Sequence, residues 1–295
     1  MKKITLLFLL ISISIFSQKS LLKKEISKIT EGKNATVAVS VLEIDFPFKY
    51  NNQNAEKKLP MQSVFKFHIA LAVLDLVDQG KLKLDQKIFI KKSELLPNTW
   101  SPIREKFPEG NFEMPLSEIL KYTVAQSDNV GCDVLLRLIG GTKTVQNFMN
   151  SKGVKDFQIK YNEEESHQFL YRQYDNYTST KSLAKLMKNF HEGKIVSERS
   201  TKFLYNIMLH TSTCLDRLRN SLPKNATLAN KTGTSFTKDG LTAATNDSGI
   251  VTLANGKKYV IVVFVSDSKE NEETNEKIIS DTSKKVFEYL SQSKN

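Results

Sequence analysis

Residues 241–266 read LTAATNDSGIVTLANGKKYVIVVFVS, and this stretch decides the fold. Leu241 to Leu253 and Tyr259 to Ser266 are rich in β-branched and apolar residues, and Asn255-Gly256 between them is a strong hairpin turn. Upstream, Ala226 to Lys231 reads as another strand. At the opposite end of the chain, Ala35 to Ile44 has the same character, followed by Pro47 and an Asn51-Asn52 turn that suggests a hairpin. Helices fill the space between. Phe65 to Val77 is apolar nearly all round, as in a helix buried on every side, and it stops at Gly80. Leu116 to Val124, Val130 to Ile139 (ended by Gly140-Gly141), Thr180 to Phe190 and Ser200 to Leu209 follow. Helical spacing also marks Lys19 to Glu31, and a polar linker from Asp267 to Asn275 leads to a last helix with Ile278, Ile279, Val286, Phe287 and Leu290. The fold expected is α/β: an antiparallel sheet built from both chain termini and flanked by helices, with a mostly helical lobe inserted. Residues 18–60 with 205–295 form the α/β lobe and 61–204 the helical lobe, with the functional site between them.

Composition narrows the class. In 295 residues, 40% are hydrophobic and 25% charged, which excludes a disordered, collagenous or coiled-coil chain and leaves ample material for a core. Met1-Lys2-Lys3 is a positive start, and Ile4 to Phe16 is a 13-residue apolar stretch without charge, then Ser17 and polar residues. That is the pattern of a cleaved secretory signal over residues 1–17, too short for a membrane span of roughly 20 residues. No cysteine follows it for lipid attachment, so the mature protein is expected to be periplasmic or secreted, without stable membrane association, and monomeric.

Forty-three Lys and Arg against 32 Asp and Glu give +11, and removal of residues 1–17 leaves +9. The lysines are scattered among acids, as in Lys81 to Asp85, with no basic block interleaved with aromatics, so no nucleic-acid partner is expected. Two cysteines, Cys132 and Cys214, make neither a disulfide framework nor a thiolate zinc site, and the four histidines contain no HxH or HExxH pair. Neither a metal nor an organic cofactor is expected.

Three short motifs carry chemistry. Ser63-Val64-Phe65-Lys66 opens the buried helix; positions i and i+3 share a face, so Lys66 can reach the Ser63 hydroxyl and activate a weak nucleophile. Ser-x-x-Lys occurs seven times here, and only this copy heads a fully apolar helix, where burying a lysine needs a purpose. Elsewhere such a pair reads as a capping serine and a snorkelling lysine. Ser127-Asp128-Asn129 precedes another apolar helix and doubles as a capping cluster. Lys231-Thr232-Gly233-Thr234 lies on a strand, where Gly233 would let a ligand approach the backbone, or else marks a turn at the strand end.

In this order, in an exported chain of this size, the three motifs are the signature set of class A β-lactamases and penicillin-binding proteins, and the chain resembles class A β-lactamases over its mature length. Met61 to His68, Leu95 to Pro102 and Thr242 to Asp247 resemble the PER/VEB-type branch. The resemblance implies a glutamate on an Ω-loop; Tyr161 to His167 offers Glu163, Glu164 and Glu165, and register from Gln173 to Ser179 selects Glu163. It also sets His167 where that branch carries a histidine. The strand after Lys-Thr-Gly lacks the usual arginine, and Arg217 falls where the branch has its substitute; the bland alternative is a surface arginine near a helix end.

By resemblance, Ser63 attacks the β-lactam carbonyl, with Lys66 or Glu163 (through a water) taking its proton. The backbone N–H groups of Ser63 and Thr234 form the oxyanion hole. Ser127 relays a proton to the leaving nitrogen, and Asn129 holds the substrate amide and Lys66. Lys231, Thr232, Thr234 and Arg217 bind the carboxylate, while Glu163 activates the deacylating water with help from His167. Asp128 is a brace and Trp100 a wall of the entrance. Cys132 is a small core residue, and no disulfide dependence is implied. A cephalosporinase, reaching oxyimino compounds, is the expected spectrum, with a narrow penicillinase as the alternative. A penicillin-binding D,D-peptidase and a β-lactam sensor share the three motifs and remain as alternatives for the class.

Overall fold

The computed structural model describes residues 20–45 and 48–292, apart from the side chain of Leu170. The expected signal peptide and Pro47 lie outside the described residues. Helix α1 (20–30) is followed by β1 (Thr36–Glu43), β2 (Lys49–Asn51), β3 (Leu59–Pro60) and α2 (Phe65–Asp78). The middle of the chain runs β4 (Lys87–Ile90), α3 (Pro102–Lys106), β5 (Phe112–Pro115), α4 (Leu116–Ala125), α5 (Asn129–Ile139) and α6 (Thr142–Ser151). It continues with β6 (Phe157–Gln158), α7 (Glu163–Gln168), β7 (Tyr177–Thr178), α8 (Thr180–His191) and α9 (Glu198–Leu209). The chain closes with β8 (Thr227–Thr234), β9 (Thr237–Lys238), β10 (Leu241–Thr252), β11 (Lys258–Ser268) and α10 (Glu272–Gln292).

The main sheet is antiparallel in the order β2-β1-β11-β10-β8, with β9 added to β10. The turn at Asn255-Gly256 pairs β10 with β11 from Thr252↔Lys258 onward, and β1 joins β11 from Glu43↔Tyr259 to Thr36↔Ser266. Both chain ends thus supply one sheet. Side chains alternate across it: Tyr259, Ile261, Val263 and Val265 pack in one cluster with α1 and α10, while Val260, Val262 and Phe264 pack in another with α2 and the middle helices. Burial on both faces explains the unbroken apolar run of β11. β8 is an edge strand, and its free edge is where the site is assembled.

Several boundaries differ from the sequence reading, each for a local reason. Asn51 pairs with Ser40 inside β2, so the chain reverses before it, and Asn52 does not turn the hairpin. Its side chain accepts from Val39 N–H and donates to the Val37 carbonyl. The polar stretch 267–275 shrinks to a three-residue link, because β11 runs to Ser268 and Asn271 Oδ1 accepts from Thr274 N–H to start α10. Helices α3 and α6 had no counterpart in the sequence reading. α5 ends as read, at Gly140, whose φ of +89° glycine adopts without strain.

α2 is buried from Phe65 through Leu74, and that includes His68. Its ring stacks on Phe157 at 4.5 Å and neither nitrogen makes a full hydrogen bond, so burial pushes its pKa down to about 3, with the Val64 carbonyl offsetting only part. Because the folded value lies below the unfolded one, the neutral ring contributes full stability above pH 6.5 and loses it as pH falls toward 3. Relative to His68→Leu, the wild type is expected to lose about 2 kcal/mol of unfolding free energy between pH 7 and pH 5. Urea midpoints at the two pH values measure this; parallel shifts in the two proteins would contradict it.

Candidate active site

A 3₁₀ turn, Gln62–Val64, delivers Ser63 directly to the head of α2, with Gln62 in the left-handed region at φ +48°. Against this turn lies the free edge of β8. A Cβ on Gly233 would stand 2.5 Å from the Met61 carbonyl oxygen, so glycine is required there by the chain itself rather than by an approaching ligand, as the sequence had suggested. Ser235 N–H bonds the Ala244 carbonyl, making 235/244 the hydrogen-bonded pair of the ladder. The alternation of an antiparallel ladder then turns the Thr234 N–H away from β10 and toward Ser63.

Lys66 is fully buried and its Nζ sits at a crossing of partners. It donates to Ser63 Oγ at 2.7 Å, to Asn129 Oδ1 at 2.5 Å and to the Ser127 carbonyl at 3.0 Å, and lies 2.6 Å from Glu163 Oε1. Ser127, at φ +59°, turns its hydroxyl to Lys231 Nζ, 2.9 Å away. Lys231 also donates to the Thr232 carbonyl, and burial, reinforced by the Lys66 charge, pushes its pKa down to about 7. Asp128 caps α5 through Gly131 N–H and also accepts from Ile103 N–H and the Ser101 hydroxyl, fixing the loop that carries Ser127.

A cleft of about 500 Å³ opens above these groups, lined among others by Ser63, Ser127, Asn129, Glu163, Thr232 and Thr234. Trp100 stands at its mouth, 55% exposed, with its indole N–H donating to the Gln126 carbonyl. Arg217 is 1% exposed, which removes the surface alternative. Its guanidinium donates to the Gly233 and Asn246 carbonyls and to Thr234 Oγ1 at 2.8 Å, so its charge meets the cleft through Thr234. Thr232 Oγ1 lies 2.7 Å from Thr213 Oγ1.

Among the three glutamates, Glu163 is buried against Lys66, whereas Glu164 and Glu165 are exposed. Glu165 reaches back to Asn162 N–H, and Asn162 Oδ1 accepts from Glu165 N–H; this capping box starts α7. His167 Nδ1 lies 2.6 Å from the Glu163 carbonyl oxygen and its ring meets the edge of Phe236.

Sequence reasoning missed several neighbours. Asp133 accepts from Glu163 N–H at 2.8 Å and Glu164 N–H at 3.0 Å, and burial, then the Glu163 charge, pushes it up to about 7. Its spacing of four from Asn129 was the available signal, since both then share a face of α5. Glu276 on α10 meets Arg217 Nε at 3.2 Å, and buried Asp247 accepts from Leu218 N–H and Asn230, steadying the segment after Arg217. Phe236, 76% exposed, and the free thiol of Cys214 also line the cleft; neither carried a motif. Among the described residues, no group of three or more His, Cys, Asp or Glu side chains is placed to hold a metal ion, and no helix is long and apolar enough to cross a membrane.

Comparison with known proteins adds an independent finding. The profile of the family described as "Beta-lactamase enzyme family" matches residues 21–290. The chain is 44% identical over 298 residues to Beta-lactamase VEB-1 of Pseudomonas aeruginosa, covering 97% of this chain and 98% of that one. It is 40% identical over 284 residues to Extended-spectrum beta-lactamase PER-1 of the same organism, covering 95% and 92%. The crystal structure of TLA-3 extended-spectrum beta-lactamase superposes with a TM-score of 0.91 at 48% identity, covering 93% of this chain and 100% of that one.

Proposed function

The chain belongs to the β-lactamase enzyme family, in class A, and on that footing we propose that Ser63 opens the lactam to an acyl-enzyme which Glu163 clears with water. The observation that carries this reading is the position of Lys66 Nζ, 2.7 Å from Ser63 Oγ and 2.6 Å from Glu163 Oε1. One proton shift from the ammonium to the carboxylate leaves a neutral amine beside the serine hydroxyl. Ser63 Oγ then bonds the lactam carbonyl carbon while its proton passes to Lys66; without that prior shift, Glu163 is still a carboxylate and takes the serine proton itself through a water. The developing oxyanion is met by the N–H groups of Ser63 and Thr234, a type of contact worth several kcal/mol.

The ring C–N bond breaks and its nitrogen takes a proton through Ser127, whose hydroxyl is 2.9 Å from Lys231 Nζ. Lys231, Thr232 and Thr234, with Arg217 behind Thr234, hold the substrate carboxylate. An anion there offsets the burial that depresses Lys231. Asn129 holds the side-chain amide. Before the second half, the proton on Glu163 returns to the Lys66 amine, which has passed its own toward the ring nitrogen. Glu163, again a carboxylate, then takes a proton from water, which attacks the ester, and the proton returns through Lys66 to the departing Ser63 Oγ. His167, bonded to the Glu163 carbonyl, supports the position of that water.

For substrate range, the extended-spectrum names of PER-1 and TLA-3, and the open wall formed by Trp100, His167 and Phe236, support cephalosporins, oxyimino compounds included. The start of the chain, with Lys2, Lys3 and the apolar stretch to Phe16, supports export to the periplasm or beyond. Ring-opening absorbance with a chromogenic cephalosporin, an oxyimino-cephalosporin and benzylpenicillin tests the spectrum. Both cephalosporins are expected to exceed benzylpenicillin in kcat/KM by about tenfold. Equal or better turnover of benzylpenicillin, with the oxyimino compound untouched, would mark a narrow penicillinase.

A further inference from the structure

The loop that carries Glu163 is held unevenly. Its base is closed by Asn176, whose Oδ1 accepts from Lys160 and Tyr161 N–H and whose Nδ2 donates to the Tyr161 carbonyl. Asp133 holds the start of α7. Beyond Gln168 the chain leaves the helix and forms a 3₁₀ turn, Leu170–Asp175. There Gln173 accepts from Gln62 Nε2 at 2.8 Å, beside the nucleophile. The next residue reaches the other way, with the Tyr174 hydroxyl donating to Asp267 Oδ1 on β11 at 2.5 Å. Among the described residues, this is the one hydrogen bond that joins the 3₁₀ turn to the main sheet.

From this contact we infer that Tyr174 and Asp267 form a latch that positions Glu163 for deacylation; the inference rests on the acyl-enzyme reading above. Two further features support it. Asp267 lies within β11 yet has φ +49°, a left-handed conformation that costs a strand free energy unless a contact offsets it, and one that Asp tolerates better than most residues. The exposed Asp267 carboxylate is the acceptor of the Tyr174 phenol, whose pKa is pushed up by burial and by that carboxylate.

The second feature is a route from the latch to the catalytic helix. Arg172, inside the same turn, donates to the Glu165 carbonyl and to Gln168 Oε1, and its guanidinium lies over the rings of Tyr161 and Phe169 at 4.7 and 4.6 Å. A shift of the turn is therefore carried into α7, two residues from Glu163. Ser63 stands on the 3₁₀ turn that heads α2 and Lys66 on α2 itself, so the first chemical step depends less on this tether. Tyr174 and Asp267 touch no reacting atom; they act through the loop.

The test uses the full mature enzyme as wild type, Tyr174→Phe, Asp267→Gly and the double variant. Glycine keeps the left-handed backbone accessible while removing the acceptor, and phenylalanine keeps the ring. Stopped-flow with a chromogenic cephalosporin separates acylation from deacylation, and hydrogen exchange reads residues 163–175 without any substrate. Each single variant is expected to slow deacylation about fivefold, with no further loss in the double variant. Acylation should stay within about twofold, and amides of 163–175 should exchange faster. Unchanged deacylation in both single variants, equal losses in the two steps, or losses that multiply in the double variant would overturn the latch. Absence of turnover in the wild type would instead strike the acyl-enzyme reading, and the exchange data would still decide whether the tether holds the loop.

Discussion

Glu163→Gln is expected to lower steady-state turnover of a cephalosporin by about 10³-fold while leaving an acyl group on the protein. The side chains are of equal size, and Asp133 still holds the backbone N–H groups of residues 163 and 164. What changes is the charge 2.6 Å from Lys66. A glutamine cannot take a proton from water, so the ester on Ser63 persists. Lys66 keeps Ser63, Asn129 and the Ser127 carbonyl within reach, so the first step, slowed by the loss of the carboxylate that would take the ammonium proton, still outruns the second. Acyl-enzyme therefore accumulates. Undiminished turnover would move the base to Glu164 or Glu165, although both face solvent.

Lys66→Met is expected to fail earlier. Methionine fills most of the fully buried slot but removes the ammonium that ties the nucleophile to its neighbours. Acylation should fall by about 10⁴-fold, with no adduct building up at any time. A circular dichroism spectrum matching wild type checks that the fold survives the loss of a buried partner for Glu163. The two variants separate the two halves of the reaction: one traps the intermediate and the other prevents it. Acylation retained by Lys66→Met would assign the first proton to Glu163 acting through a water.

Much of the architecture was legible because its causes are local. The Asn255-Gly256 turn and the two-sided apolar run of β11 define the hairpin with β10 without help from the rest of the chain. An apolar helix that buries Lys66 singled out one Ser-x-x-Lys copy among seven. Other features depend on contacts distant in sequence. Spacing from Asn129 puts Asp133 on the face of α5 that meets the site, but does not announce that it will hold two N–H groups some thirty residues away. Arg217 kept a surface reading as its alternative until Glu276 on the last helix and the Gly233 and Asn246 carbonyls enclosed it. Gly233 was read as making room for a ligand, whereas the Met61 carbonyl is what excludes a side chain there. Asn51-Asn52 has turn chemistry, but pairing with Ser40 keeps Asn51 in the strand.

The central claim is that Ser63, Lys66 and Glu163 run one acylation and one deacylation. Intact-protein mass during reaction with a cephalosporin, followed beside ring-opening absorbance for wild type and Glu163→Gln, tests it most directly. The account predicts that wild type returns to its free mass when substrate is exhausted, whereas Glu163→Gln retains one acyl adduct on the peptide containing Ser63. A persistent adduct on the wild type itself would contradict it, and would describe a penicillin-binding or sensor protein instead.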